Sequence, residues 1–120
     1  MKLYLYSNAL LYLIFGVWCA IAPFWTAQAV GFNLIGNQGF AEYVAVYGGL
    51  EFGVGVFFLI CAINSQLPRV GVVFGSCFYL GIFIFRTIAI AQVGIDIGSG
   101  LNFYIAEGVL AGWSMLLLRR

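Results

Sequence analysis

A chain of 120 residues that is 64% hydrophobic and 8% charged cannot hide its apolar surface as a soluble domain, which carries about 25% charged residues. Its mean hydropathy of +1.08 reads as a membrane protein, because lipid removes the need to cover apolar side chains with polar ones. The net charge of +1, with no histidine, gives no electrostatic footprint for nucleic acid and no imidazole for metal binding or acid–base work.

Lys2 opens an apolar run over residues 3–22, and Ala27-Gln28-Ala29 imitates a small-residue cleavage site after a signal core. The run has the length of a membrane span, about 20 residues, so it is read as a first transmembrane helix that stops at Pro23. Asn8 inside it is expected to hydrogen-bond a neighbouring helix. Residues 23–40 are longer than a turn yet studded with Phe24, Trp25, Phe32 and Phe40. They are expected to lie along the membrane interface, with Trp25 at headgroup level.

The second span is expected over 41–63 and the third over 68–93, where Pro68 suits a helix start. The short connection 64–67 makes them antiparallel neighbours. A glycine-rich turn over 94–100 leads into a fourth span over 101–118. The expectation is one domain, all-α: a four-helix transmembrane bundle over residues 1–120. A β-structure is excluded, since open sheet edges are unsatisfied in lipid and no barrel-like alternation is present. The two halves share this topology, with Glu51 and Glu107 in similar places, but further identities are too few to establish an internal repeat.

Charge sets the orientation. Lys2, Arg69, Arg119 and Arg120 fall on one side of such a bundle, whereas the opposite loops contain no Lys or Arg and carry Asp96. The positive-inside rule places both termini in the cytoplasm. Glu42 sits at the outer mouth of the second span, where it suits the helix N-terminus. Asp96 is expected to be solvated or to cap the fourth helix.

Small-residue spacing occurs at Gly49/Gly53, Gly71/Gly75 and Gly108/Gly112. Such faces let helices approach closely in lipid. Packing inside one bundle accounts for them more readily than a homo-oligomer or larger membrane complex, which is the alternative use. Cys19, Cys61 and Cys77 show no CxxC spacing, which argues for small packing residues and against a zinc or redox pair. No metal or cofactor is expected.

The most informative residues are ionisable ones within the spans. At ~1.5 Å rise per residue, Glu51 lies roughly 15 Å from the outer edge of its expected helix, Arg86 roughly 10 Å and Glu107 roughly 9 Å. Each would cost about 2.5–3.5 kcal/mol if left unpaired near the middle of a span, so Arg86 is expected to bridge Glu51 and Glu107. At ~100° per residue, Tyr43 and Tyr47 share a stripe with Glu51, with Gly49 and Gly53 opposite. Tyr79 falls with Arg86, and Tyr104 with Glu107, Ala111 and Ser114. These tyrosines can supply the hydrogen bonds that a buried carboxylate or guanidinium needs. Two carboxylates against one Arg leave room for a proton.

The run Tyr47-Gly48-Gly49-Leu50-Glu51, followed by Gly53 and Gly55, resembles the signature of a bacterial family of small four-helix membrane proteins defined only as a domain of unknown function. Gly31-Phe32, Arg86, Asp96 and Glu107 also fall in that pattern. The family pattern has Asp-Gly in the third loop, whereas here Asp96 is followed by Ile97 and then Gly98. The resemblance implies a four-helix protein of the bacterial inner membrane and no particular activity. Two readings of function follow. One is a small-ligand or proton-coupled transport or binding protein that uses the Glu51/Arg86/Glu107 layer. The other is a non-catalytic accessory or scaffold subunit whose charges fix helix register. An enzyme ranks below both, because the sequence shows no nucleophile–base pair and no metal cluster.

Overall fold

The computed structural model describes residues 1–94 and 99–119. Asp96 and Arg120, and the expectations attached to them, lie outside the described residues. Five helices follow in order: α1 (Lys2–Ile21), α2 (Pro23–Ala29), α3 (Gly36–Ile63), α4 (Pro68–Val93) and α5 (Ser99–Leu118). No strand occurs among the described residues. The four helices α1, α3, α4 and α5 are long and apolar enough to cross a membrane.

Local chemistry sets the breaks. Ala22 leaves helical geometry at φ −126° and ψ 57°, as the residue before a proline tends to, and Pro23 restarts the chain as α2. Gly31 and Gly36 both take positive φ, which turns the connection into α3. Gly94 at φ 84° closes α4 in the region that glycine adopts without a Cβ clash.

The second long helix differs from expectation in two ways. It begins at Gly36 and not near residue 41, so much of residues 23–40 is helical: α2 and the start of α3 form a cap beyond α1. Gln38 donates to Glu42 at 2.7 Å, an i,i+4 bond that supports a helix outside the apolar stretch. Residues Val44–Leu50 then follow i→i+5 π-helical bonding. The flanking Tyr43, Leu50 and Glu51 keep right-handed helical angles, so α3 is continuous through the wide turn.

Glycine governs the α1–α3 crossing. A Cβ at Gly16 would stand 2.6 Å from the Phe52 nitrogen, and one at Gly55 2.8 Å from the Leu13 nitrogen. Gly48 lies against Ala20. At Gly16 and Gly55 the nearest atoms are backbone, so they cannot swing aside. Of the spaced pairs, Gly71 and Gly75 face inward against Leu5, Cys61 and Tyr4, and Gly108 faces the Phe83 ring. Gly53 and Gly112 meet open space.

The core lies toward the end of the bundle that carries both termini. Tyr4, Phe58 and Tyr79 are its largest fully buried side chains, with the Tyr4 ring edge-on to Phe58 and to Trp113. The buried residues of α4 are Gly71, Val72, Gly75, Ser76 and Tyr79, all in its first half. The described buried residues of α5, Ala111 and Ser114, lie at the same end. From Leu80 onward α4 has no buried residue. Cys19 and Cys61 are buried and Cys77 is exposed, all as free thiols.

Candidate functional site

The level of each polar group follows from the helix contacts. Asn8 of α1 meets Tyr79 of α4, and Arg86 lies about 10 Å further along, one helical rise per residue, opposite Phe15. Gly16 abuts Phe52, the neighbour of Glu51. Arg86 pairs with Glu107. The three charged residues therefore share one layer, about 7–10 Å short of the far end of α1. Because α3 starts beyond α1, Glu51 is no deeper than Arg86, contrary to the depth expected from a helix starting at residue 41.

Within that layer the pairing is unequal. Arg86 Nε donates to Glu107 Oε2 at 2.7 Å and Nη2 to Oε1 at 2.7 Å. This two-pronged geometry is the strong form of a guanidinium–carboxylate contact. Arg86 does not bridge to Glu51, which makes no ion pair among the described residues; its Oε2 is buried with no hydrogen-bond partner among them. The reason is positional. Glu107 and Arg86 sit on adjacent antiparallel helices, and a single carboxylate occupies the Nε/Nη2 edge of the guanidinium.

None of these charges is fully buried by protein. The side chains of Arg86 and Glu107 are 37% and 13% exposed, and Glu51 is half-buried. The expected buried layer is thus a half-buried one. Tyr47 stands within electrostatic reach of both Glu51 and Arg86, and Tyr12 and Tyr79 within reach of Glu51.

The tyrosines divide among three places. Tyr104 buttresses the ion pair: its ring stacks on Phe83 at 4.7 Å, and its hydroxyl lies 3.2 Å from Thr87 Oγ1. Tyr79 does not accompany Arg86; it donates to Asn8 Oδ1 in the core, while Asn8 Nδ2 donates to the Tyr4 carbonyl at 2.7 Å. Tyr43 does not accompany Glu51 either. Its hydroxyl donates to Thr26 at 3.1 Å and lies 3.6 Å from Cys19 Sγ, tying α3 to the α2 cap. Tyr47 stacks on Tyr43 at 4.7 Å and is the tyrosine that joins the cap to the Glu51 layer.

Asn8 bonds a neighbouring helix as expected, but sequence reasoning missed the polar seam along α1 to which it belongs. Tyr4, Asn8 and Tyr12 repeat at helical spacing and face the core, all three buried. The Tyr4 hydroxyl and Ser76 Oγ are buried without partners. The four-residue spacing of polar groups in the first apolar run was the available signal. Among the described residues no cluster of metal-ligating side chains occurs. No family model, curated protein or solved structure matches this chain.

Proposed function

We propose that this is a multi-pass protein of the bacterial inner membrane, with both termini in the cytoplasm, that binds a proton or small cation at Glu51. The observation that carries the reading is the unequal charge layer: Arg86 is committed to Glu107, and the Glu51 carboxylate has a buried oxygen with no partner. An ionisable group left uncompensated within a span is costly and marks function by default. The net single negative charge of the layer favours a cation. Kinship with the family whose YGGLE-type run it resembles belongs to the same proposal. So does a second copy, or another membrane subunit, packed on the outward Gly49/Gly53 face of α3.

The orientation rests on Lys2, Arg69 and Arg119, which gather at the end that carries the termini. Reporter fusions at Arg120 and near Asn37 are expected on opposite sides of the membrane; the same side for both would overturn the four-span topology. The ligand reading is tested with Glu51→Gln, which keeps size and hydrogen bonding but cannot ionise. In proteoliposomes, the wild type is expected to show pH-dependent uptake or cation binding that the variant lacks. The second reading, an accessory subunit with structural charges, is favoured by the closed Arg86–Glu107 fork. It expects Glu51→Gln to be silent in the same assay.

A further inference from the structure

The outer cap contains a second anionic feature, separate from Glu51. The Phe32, Tyr43 and Tyr47 rings form one group: Tyr43 and Tyr47 stack at 4.7 Å, and Phe32 meets them at 6.2 and 5.4 Å with its plane turned 67° and 60°. They line a depression of about 280 Å³ together with Leu34, Gly39 and Glu42. Glu42 is exposed at its rim, and its one bonded partner among the described residues, Gln38, is neutral, so no basic group is paired with it. Within the cap, residues 23–43, Glu42 is the only charged side chain.

We propose that this depression is a binding site for a quaternary ammonium group, free or carried on a lipid headgroup. Aromatic faces attract such cations through their quadrupoles, and the attraction grows when water is displaced. A carboxylate at the rim adds a full charge of the right sign without demanding a hydrogen-bond donor, which a quaternary nitrogen lacks. At about 280 Å³ the depression lies just below the about 300–1,000 Å³ of sites for drug-sized ligands, which suits a small headgroup. The position fits as well. The cap begins where α1 ends, at the level where headgroups meet water. The π-helical turn at Val44–Leu50 carries Tyr47 on the same side as Tyr43, which assembles the ring group on a spanning helix.

The test is calorimetric titration of the full chain, held in phosphatidylglycerol nanodiscs, with choline and with its neutral carbon analogue. Choline is expected to bind at least about 10-fold more tightly than the analogue. Tyr47→Leu is expected to weaken choline by about 5- to 10-fold, whereas Tyr47→Phe, which keeps the ring, retains it. Glu42→Gln weakens it and removes its salt dependence. Glu51→Gln binds choline like the wild type, so this site and the Glu51 reading fail independently. Nanodiscs containing phosphatidylcholine decide the source: loss of free choline binding there shows the headgroup in the site, and persistence shows a free ligand. Equal binding of choline and its analogue, no binding of either, or indifference to both Tyr47→Leu and Glu42→Gln would overturn the proposal.

Discussion

The two ends of the bundle are built on different principles. At the end that carries the termini all four long helices contribute buried residues, around Tyr4, Asn8, Phe58, Tyr79 and Ser114. At the opposite end α1 and α3 close on each other through glycines, and α4 and α5 hold together through side chains such as Phe83, Arg86, Tyr104 and Glu107. The ionisable residues of the spans sit where the two pairs are not interleaved. In lipid, association comes from close packing and interhelical hydrogen bonds, so the tightly packed end fixes the fold. The looser end is free to keep a carboxylate unsatisfied.

The largest test of this contrast is Gly16→Leu. Its side chain would enter the backbone of Phe52 and Gly48, and overpacking of this kind costs about 3 kcal/mol or more. Gly53→Leu, on the open face of the same helix pair, is expected to cost less than about 1 kcal/mol. Unfolding in graded detergent mixtures, followed by helical circular dichroism, measures both; equal losses would refute the assignment of α3's inward face.

Arg86→Ala comes next. Stranding a partner of a buried ion pair costs about 3–5 kcal/mol, and the exposure of Arg86 brings the expected loss to about 2–3 kcal/mol. Replacing Arg86 and Glu107 together by leucine is expected to cost less than the single change, because no charge is stranded. A double variant as unstable as Arg86→Ala would mean that the pair is worth more than its desolvation.

Tyr79→Phe removes the donor to Asn8 Oδ1 at the packed end and is expected to cost about 1–2 kcal/mol. Tyr104→Phe, at the looser end, is expected to cost under about 0.5 kcal/mol, since its hydroxyl contact with Thr87 is exposed. The smallest effect on stability belongs to Glu51→Gln, within about 1 kcal/mol, yet its melting curve should lose a pH dependence that the wild type shows across about pH 5 to 9. Two curves of the same shape would show that Glu51 does not titrate there.

Much of this architecture was legible in the sequence. Four apolar runs of spanning length, with Pro23 and Pro68 as punctuation, give the four long helices of the structure. The start of α3 was not legible, because hydropathy registers the apolar stretch and is blind to a helix that continues past it on Gln38 and Glu42. Helical rise grouped the three charges but set Glu51 too deep, because the start of its helix was not legible. Their pairing could not be read from it, since the choice of Glu107 over Glu51 depends on which helix lies beside α4. Tyr43 and Tyr79 were assigned to neighbouring charges by stripe geometry. Their hydroxyls instead found Thr26 and Asn8, partners on other helices that a stripe drawn on one helix cannot see.

The π-helical turn in α3 makes the azimuth of the cap depend on a single residue. A turn closed by i→i+5 bonds holds one residue more than an α-turn. Deleting one residue within Val44–Leu50 would restore α-geometry, and each residue along an α-helix rotates by about 100°. The start of α3 would swing through that angle relative to Glu51, while α2 stays tied to the end of α1. Tyr43 would leave Thr26, and Phe32 would lose both of its ring neighbours, while the crossing at Gly55 and Leu13 stayed where it is. The orientation of the cap over the Glu51 carboxylate is thus written in chain length, so a one-residue deletion here would re-aim it where most substitutions would leave it pointing as before.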